Sequence, residues 1–475
     1  MRVDSAIEPL HAGLGVLEDQ ISPDLVDAVI DAAGRRERRR RMLPARVVVY
    51  LVLGLCLFAN TDSVAPPGYR SVMRTLASSV RHLRQLVVPT SSALSRARKR
   101  LGAEPLRLLF DRVRGPLASA ATPGAFWHGL RLVAWDGTVL DVADSAANRA
   151  EFTHSAYGPG PQLRLLALIE CGTRAVISAV FGSAGQNATG KVASEHQLAR
   201  QALGALSTGM LLLADRNFAG HDLWAQVTAT GAELLWRVQR TLALDPVELL
   251  PDGSHIAVLA SAADKALHRR KKMTTPLRGH RVRVIEYTVT VRYDDGRTRT
   301  EDFRLITTLL DHERYPAAQL ATLYHERWES ETSYLELKTR VRGSGFILRS
   351  KTPELVRQEI YAMLIIYQAI TRLRVDAATT GGTDPDRISF TVTIRAARDH
   401  ITHRHRTMDQ LRRTVISDIL AEQLPARRNR HYPRRRRLTQ LQGTPRHDTT
   451  RPAGRVDYKI SISQRHTSHD HAPSP

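Results

Sequence analysis

Residues 324–338 read YHERWESETSYLELK, and the interpretation of the whole chain starts from this stretch. It contains no Gly or Pro and is rich in Glu, Leu, Arg and Lys, a composition that predicts a helix. The pair Tyr315-Pro316, just upstream, suits a helix start. At about 1.5 Å per residue, the helix would span roughly 20 Å.

One side of this predicted helix carries polar and aromatic groups. At about 100° per residue, Arg327, Glu331 and Lys338 fall within roughly 60° of Tyr324, and Trp328 lies about 40° to the other side. The remaining acids are expected to project elsewhere, into solvent: Glu326, Glu329 and Glu336. The spacing therefore singles out Glu331, on a stripe long enough to follow a phosphodiester backbone. The alternative is a solvated face laced with i,i+4 ion pairs.

The chain is long and strongly basic. Its 475 residues include 69 Lys+Arg against 47 Asp+Glu, which gives a net charge of +22. This excess predicts a polyanionic partner, with nucleic acid as the first candidate. The length allows two or three domains. A purely structural RNA-binding protein could be as basic, but it seldom needs such a long globular middle.

The two cysteines and one apolar run exclude several classes of protein. Cys56 and Cys171 match neither a disulfide framework nor a zinc-ligand spacing, so we expect buried thiols in a cytosolic protein. The run Val47–Phe58 is shorter than the about 20 residues of a membrane span. We interpret it as a buried helix, and we expect no membrane association.

The N-terminal quarter predicts a helical DNA-binding domain. Residues 1–19 are expected to be weakly ordered and residues 20–115 to be helical. A short helix follows Pro89, where Thr90 or Ser91 can cap it and Gly102 can close it. Cationic residues cover much of one side of this helix, as in a recognition helix: Arg96, Lys99 and Arg100. A helix that only carries surface arginines is the alternative.

Two short apolar strands are each followed by an aspartate. The first, Arg131–Trp135, stops at Asp136, and the second, Met210–Ala214, stops at Asp215. Carboxylates at the ends of core strands often present metal ligands at the edge of a sheet. Each aspartate can equally be a helix N-cap.

The rest of the chain divides by composition. Residues from about 232 to 312 predict an inserted β subdomain, with a hairpin turn at 293–296. Pro353–Arg374 predicts a long amphipathic helix that covers the sheet. Residues 385–425 predict basic helices, and the Arg-, His- and Pro-rich tail at 426–475 is expected to be disordered.

Three carboxylates stand out by position: Asp136, Asp215 and Glu331. If they converge they repel one another unless cations lie between them. Two Mg²⁺ ions about 3.5–4 Å apart would satisfy them and would support in-line phosphoryl transfer. Asp141 and Asp144 are rival candidates for the first ligand.

These residues resemble the IS4-type DDE transposases of bacterial insertion sequences, over roughly residues 20–400. Trp135–Thr138, with residues 144–149, looks like the family's first-aspartate block, and Ala214–Phe218 looks like its second. The family's Tyr-x2-Arg-x3-Glu-x6-Lys signature occurs without a gap or substitution at Tyr324, Arg327, Glu331 and Lys338.

The resemblance implies an α/β fold with a ribonuclease-H-like catalytic core at residues 125–375, a mixed sheet flanked by helices. It implies that Asp136, Asp215 and Glu331 are the catalytic metal ligands for two Mg²⁺ ions, with Mn²⁺ as a substitute. Phosphate contacts near the element's end are implied for Tyr324, Arg327 and Lys338. Trp328 would either stack on an extruded base or pack under the site.

The resemblance further implies cut-and-paste transposition through end cleavage, hairpin formation and opening, and strand transfer. Its partners would be the terminal inverted repeats and target DNA, bound by a homodimer in a synaptic complex. The expected location is the bacterial cytoplasm, at the nucleoid. Two alternatives remain open: a catalytically inactive, transposase-derived DNA-binding regulator, and a different metal-dependent nuclease on the same fold.

Overall fold

The computed structural model describes residues 13–39, 41–59, 68–78, 88–153, 160–186, 190, 193–271, 277–292, 298–341, 347–402, 407–426 and 457–463. The chain folds as two compact units. The first unit comprises Met1–Ala205 and Trp328–Arg427, and the second comprises Leu206–Arg327 and Arg428–Pro475.

The helices are α1 (Pro23–Ala32), α2 (Ala45–Leu57), α3 (Tyr69–Ser78), α4 (Ser91–Leu101), α5 (Glu104–Val113), α6 (Ala146–Glu151), α7 (Glu195–Ala202), α8 (His221–Thr228), α9 (Ala262–Arg270), α10 (Ala317–Leu323), α11 (Trp328–Leu335), α12 (Pro353–Thr380), α13 (Phe390–Asp399) and α14 (Met408–Ala421). The strands are β1 (Phe126–Trp127), β2 (Leu130–Val142), β3 (Gln162–Glu170), β4 (Val176–Ser183), β5 (Met210–Ala214), β6 (Glu233–Arg237), β7 (Glu248–Leu249), β8 (His255–Leu259), β9 (His280–Arg292), β10 (Thr298–Thr307), β11 (Ile347–Leu348) and β12 (Asp457–Ile462).

The N-terminal part is helical, and its helices are buried in the first unit. The apolar run at 47–58 forms α2, whose residues are almost all buried, as predicted. Residues 13–19, which we expected to be weakly ordered, instead include a 3-10 turn at Gly15–Asp19, because Leu14 and Leu17 are completely buried. Residues 1–12 lie outside the described residues.

Helices α1 to α5 share one hydrophobic core with α12. The 28-residue α12 is apolar around most of its circumference, which is typical of a central buried helix. The same apolar cluster includes side chains of β2, β3 and β4. The helices at 20–115 therefore do not have a separate core of their own.

The first unit contains an antiparallel sheet. Strand β3 pairs with β2 on one side and with β4 on the other, and β2 also pairs with β1. The register places Asp136 opposite Ala167. The short β11 pairs in parallel with the end of β2. The continuous apolar sequence of β3 agrees with its burial between two neighbours.

The second unit contains a mixed sheet in the order β5-β6-β10-β9-β8-β7. Strands β5 and β6 are parallel, whereas β6, β10, β9, β8 and β7 are antiparallel to their neighbours. The β-rich character predicted for residues 232–312 is observed, although β10 returns to pair directly with β6. The predicted turn at 293–296 lies outside the described residues.

Part of the C-terminal tail is ordered, which corrects the prediction of disorder for 426–475. Residues Asp457–Ile462 form β12, which pairs antiparallel with β9. The alternating sequence DYKISI explains this strand, because it offers Tyr and Ile at every second position.

Cys56 and Cys171 are both buried and form no disulfide, as predicted. In the described part of the chain, no helix has both the length and the apolar character needed to span a membrane.

Candidate active site

The stretch 324–338 is helical throughout, as predicted, but it is not one uniform α-helix. Tyr324–Arg327 forms a 3-10 turn, Trp328–Leu335 is α11, and Glu336–Val341 is a π-helical turn. These helix types differ in residues per turn, so the assumption of 100° per residue fails at both ends. The side chain of Trp328 lies outside the described residues.

Asp136 lies in the middle of β2, and the prediction that it ends a strand was therefore wrong. The strand continues because residues 137–141 still pair with β3. The Asp136 carboxylate is partly exposed and accepts a hydrogen bond from Gly137 N at 2.9 Å. The Asp136 carboxylate is accessible because it projects from a face of the sheet, and not because the strand ends there.

Two side chains from the 328–341 segment bond to the backbone of β2. Tyr334 donates its hydroxyl proton to Asp136 O and accepts a hydrogen bond from Ala167 N. Lys338 donates from Nζ to Val139 O at 3.1 Å. The segment that carries Glu331 is therefore attached to β2 at the residue that carries the first predicted acid.

A further carboxylate, not selected from the sequence, lies against Gly137, on the face of β2 opposite to the Asp136 side chain. Glu195, in the first turn of α7, packs against the backbone of Gly137, where an added Cβ would lie 2.6 Å from Glu195 Oε1. A side chain at position 137 would therefore collide with this carboxylate. No sequence pattern distinguishes Glu195, because a glutamate in the first turn of a helix is commonplace.

Asp215 follows β5 directly, as predicted, and lies in the second unit. Its carboxylate accepts a hydrogen bond from Arg216 N at 2.7 Å and caps the 3-10 turn at Arg216–Phe218. The N-cap role that the sequence left open is thus present. Capping uses one oxygen lone pair, so it does not prevent a carboxylate from binding a cation.

Tyr324 and Arg327 accompany Asp215 in the second unit. Tyr324 is 3% exposed and donates its hydroxyl proton to Ala214 O at 3.2 Å. Burial raises the Tyr324 pKa, nearby Arg327 lowers it, and the charge of Asp215 raises it further. The guanidinium of Arg327 lies 6.0 Å from the Tyr324 ring centroid. The first half of the signature thus lies beside the second predicted acid.

Glu331 is flanked by acids that hold α11 in place. We predicted that Glu329 and Glu336 project into solvent, and this was wrong, because both form ion pairs with Arg174, at 2.5 and 2.8 Å. Arg174 also pairs with Asp386 at 2.5 Å. Glu331 itself is partly exposed. Its neighbours therefore fix the segment, while its own carboxylate keeps access to solvent.

The two rival acids have other surroundings. Asp141 is five residues from Asp136 on β2, and alternation along a strand places it on the opposite face. Asp144 is exposed and forms an ion pair with Arg149, which holds the pKa of Asp144 below its ordinary value. Both observations favour Asp136.

The donor chemistry of the predicted acids fits a hard divalent cation, since all three offer carboxylate oxygens. Among the residues described, no three His, Cys, Asp or Glu side chains lie close enough together to hold a metal ion. Asp136 and Glu331 belong to the first unit and Asp215 to the second. The three-acid metal site stays a prediction.

Helix α4 has the predicted caps and exposure. Thr90 accepts a hydrogen bond from Ala93 N at 3.2 Å, and Gly102 ends the helix with a φ of 71°. The exposed cationic side chains are the three that the sequence selected: Arg96, Lys99 and Arg100. Arg98, in contrast, is buried and bonds to Gln358 at 2.9 Å. Their contact with DNA stays a prediction.

Comparisons with known proteins agree with the motifs. Residues 127–369 match the model of the transposase DDE domain, and residues 11–111 match that of the insertion element 4 transposase N-terminal domain. The chain is 27% identical over 450 residues to transposase InsG for insertion sequence element IS4 of Escherichia coli, covering 91% of this chain and 93% of that protein. It is also 27% identical to the putative transposase InsZ of Escherichia coli over 44% of this chain and 67% of that protein.

A solved structure, the synaptic complex of piggyBac transposase with hairpin DNA, has a TM-score of 0.45 and 11% identity, over 86% of this chain and 85% of that chain. A likeness this weak adds nothing to the assignment. The DDE domain match and the mixed sheet flanked by helices confirm the ribonuclease-H-like fold class. The chain belongs to the IS4-type DDE transposases, DNA transposases of bacterial insertion sequences.

Proposed function

We propose that this transposase cuts the ends of its own insertion sequence and joins them to target DNA, using Asp136, Asp215 and Glu331. The observation that carries the proposal concerns the signature segment. In its first half, Tyr324 donates a hydrogen bond to Ala214 O, the carbonyl that precedes Asp215. In its second half, Tyr334 donates a hydrogen bond to Asp136 O. One continuous stretch thus accompanies all three acids.

The three carboxylates would hold two Mg²⁺ ions, for which Mn²⁺ is a substitute. When bound, such ions activate the attacking oxygen and stabilise the leaving oxygen of an in-line displacement at phosphorus. The protein's part is to hold the carboxylates in position. The partial exposure of Asp136, Asp215 and Glu331 supports this role, because DNA can reach them.

The other signature residues divide into two roles. Arg327 and Lys338 are proposed to contact phosphates, since guanidinium and ammonium groups both bind phosphate oxygens. Tyr324 is better suited to holding the turn at Asp215, because its buried hydroxyl already bonds to Ala214 O. Trp328 is proposed to stack on a base extruded during hairpin formation.

The proposed reaction order is cut-and-paste. Water first hydrolyses one strand at the element's end, and the freed 3′-hydroxyl attacks the opposite strand to form a hairpin. A second water opens the hairpin, and the 3′-hydroxyl ends then attack target DNA. In each step water or a 3′-hydroxyl forms the new bond to phosphorus, the P–O3′ bond breaks, and the released 3′-oxygen takes up a proton. One site can therefore serve all of the steps. We propose that a homodimer pairs the two ends at the nucleoid.

The test is cleavage of a labelled duplex that carries the element's own terminal repeat, with Mg²⁺ or with EDTA. Asp136→Asn, Asp215→Asn and Glu331→Gln are each expected to lose cleavage by about 10³-fold or more, the scale seen when a charge-stabilising group is removed. End binding is expected to remain, because the substitutions are nearly isosteric.

Matched controls are Asp141→Asn, on the opposite face of the same strand, and Asp222→Asn, whose side chain is 76% exposed. Both are expected to cleave as wild type does. If wild-type protein binds its ends but never cuts them with any divalent cation, the chain is a DNA-binding regulator and the proposal fails. If it cuts but never joins ends to target, it is a nuclease instead.

A further inference from the structure

Tyr334 lies three residues after Glu331 on α11, and its hydroxyl reaches the strand that carries Asp136. We infer that Tyr334 is a positioning residue that sets where Glu331 stands along β2 relative to Asp136. The inference rests on the proposed function, in which the two carboxylates act in one site.

The Tyr334 hydroxyl joins two strands at one register position. It donates to Asp136 O and accepts from Ala167 N at 2.9 Å, and these two residues face each other in the pairing of β2 with β3. A hydroxyl can do both because it has one donor proton and acceptor lone pairs. The contact therefore attaches α11 to the sheet at the residue that presents the first carboxylate.

The Tyr334 side chain is buried at this contact, with 7% of its surface exposed. Its hydroxyl is therefore shielded from water, which would otherwise compete for both hydrogen bonds.

Lys338 repeats the arrangement one turn later, by donating to Val139 O at 3.1 Å. Tyr334 and Lys338 are four residues apart, and their carbonyl partners on β2 are three residues apart. The segment thus follows β2 in the same chain direction. Because residues three apart are neighbours on a helix surface, Glu331 lies next to the Tyr334 anchor.

Arg174 holds the segment from another side through Glu329 and Glu336. These ion pairs do not involve the Tyr334 hydroxyl, so we expect them to remain when it is removed. Tyr334→Phe is therefore expected to fold. We expect it to make the position of Glu331 along β2 less well defined, without displacing α11.

The test compares full-length wild type with Tyr334→Phe, each bound to end DNA. Mn²⁺ binding is titrated by the electron paramagnetic resonance signal of free Mn²⁺, and Mg²⁺-dependent end cleavage is timed in parallel. We expect Tyr334→Phe to bind Mn²⁺ about 10- to 100-fold more weakly and to cleave more slowly by a similar factor, as when the hydrogen-bond partners of metal ligands are removed. The affinity for end DNA is expected to be unchanged.

Tyr50→Phe is the matched control, because Tyr50 is 1% exposed and donates to a backbone carbonyl, Ile21 O, at 3.2 Å. It is expected to lower the Tm as Tyr334→Phe does, with Mn²⁺ binding and cleavage unchanged. All variants are compared at a temperature where circular dichroism shows them fully folded.

Wild-type Mn²⁺ affinity in Tyr334→Phe would overturn the inference, as would an equal loss of Mn²⁺ binding and end binding. Failure of the proposed function is recognised separately: wild type would not cut, or Glu331→Gln would cut and bind Mn²⁺ as wild type does.

Discussion

Arg174 shows how single residues hold the candidate site. It has a φ of 64°, is 4% exposed, and bonds through Nε, Nη1 and Nη2 to Glu329, Glu336 and Asp386. Burial disfavours its charge, but the three carboxylates raise the Arg174 pKa well above its ordinary value. Without Arg174, Glu336 would keep its ion pair with Arg374, whereas Glu329 and Asp386 would lose the ion pairs that hold them here.

We predict that Arg174→Met destabilises the first unit by about 3–5 kcal/mol, the scale for removing one partner of a buried ion pair. Urea unfolding followed by circular dichroism measures the loss. Arg395→Met, which removes an exposed partner of Glu422, is the control and is expected to leave stability nearly unchanged. Equal stability of the two variants would contradict the assignment of Arg174 as a central ion-pair residue.

Asp252 gives a pH prediction for the second unit. Burial raises its pKa, but the Ser254 hydroxyl, Ala317 N and Arg283 together hold the Asp252 pKa below its ordinary value. Because the folded pKa lies below the unfolded one, the carboxylate stabilises the fold above about pH 4, and this contribution is lost as the pH falls through the folded pKa.

We therefore expect the stability of wild type to fall more steeply below about pH 4 than that of Asp252→Asn. Urea unfolding at a series of pH values, followed by the fluorescence of the buried Trp224 and Trp236, measures the two slopes. The exposed Asp245→Asn should follow wild type. Parallel curves for wild type and Asp252→Asn would refute the role of this carboxylate.

At the scale of elements, local sequence rules predicted α2, α4 and β5 because caps, apolar runs and turn residues act over a few positions. The same rules predicted that residues 324–338 are helical but did not predict the helix type, because helix propensity is uniform there whereas the observed helix type changes twice. The hydroxyls of Tyr324 and Tyr334 bond to strands 110 and 198 positions earlier in the chain. Arg174 was missed for the same reason, since its carboxylate partners are 155 to 212 positions away.

Helix α4 carries the element-scale prediction. Replacing Arg96, Lys99 and Arg100 together by Ala is expected to reduce the slope of log K against log salt for end DNA by about 2 to 3, because each lost phosphate contact removes about 0.9. Fluorescence anisotropy at several salt concentrations measures the slope. The control removes the same charge from exposed positions of α13 and α14: Arg395, Arg412 and Arg413. If both triple variants reduce the slope equally, α4 has no special role.

For the whole molecule, we expect the net charge of +22 to dominate association with DNA. We expect the affinity for any duplex to fall by about 10³-fold or more between 50 and 200 mM salt, as for proteins that neutralise many phosphates. The cleavage rate of DNA ends that are already bound should change much less with salt, because the salt effect acts on the binding step and not on the chemical step. A flat salt response of the affinity would contradict the electrostatic interpretation of the composition.

The pairing of β12 with β9 also bears on the fate of shortened gene copies. Residues 287–292 of β9 face β12 along one edge, while β10 occupies the other. A frameshift that removes the last strand would leave these backbone N–H and C=O groups as a template for other chains. Such copies are expected to self-associate on overexpression, even though every predicted catalytic acid is encoded upstream.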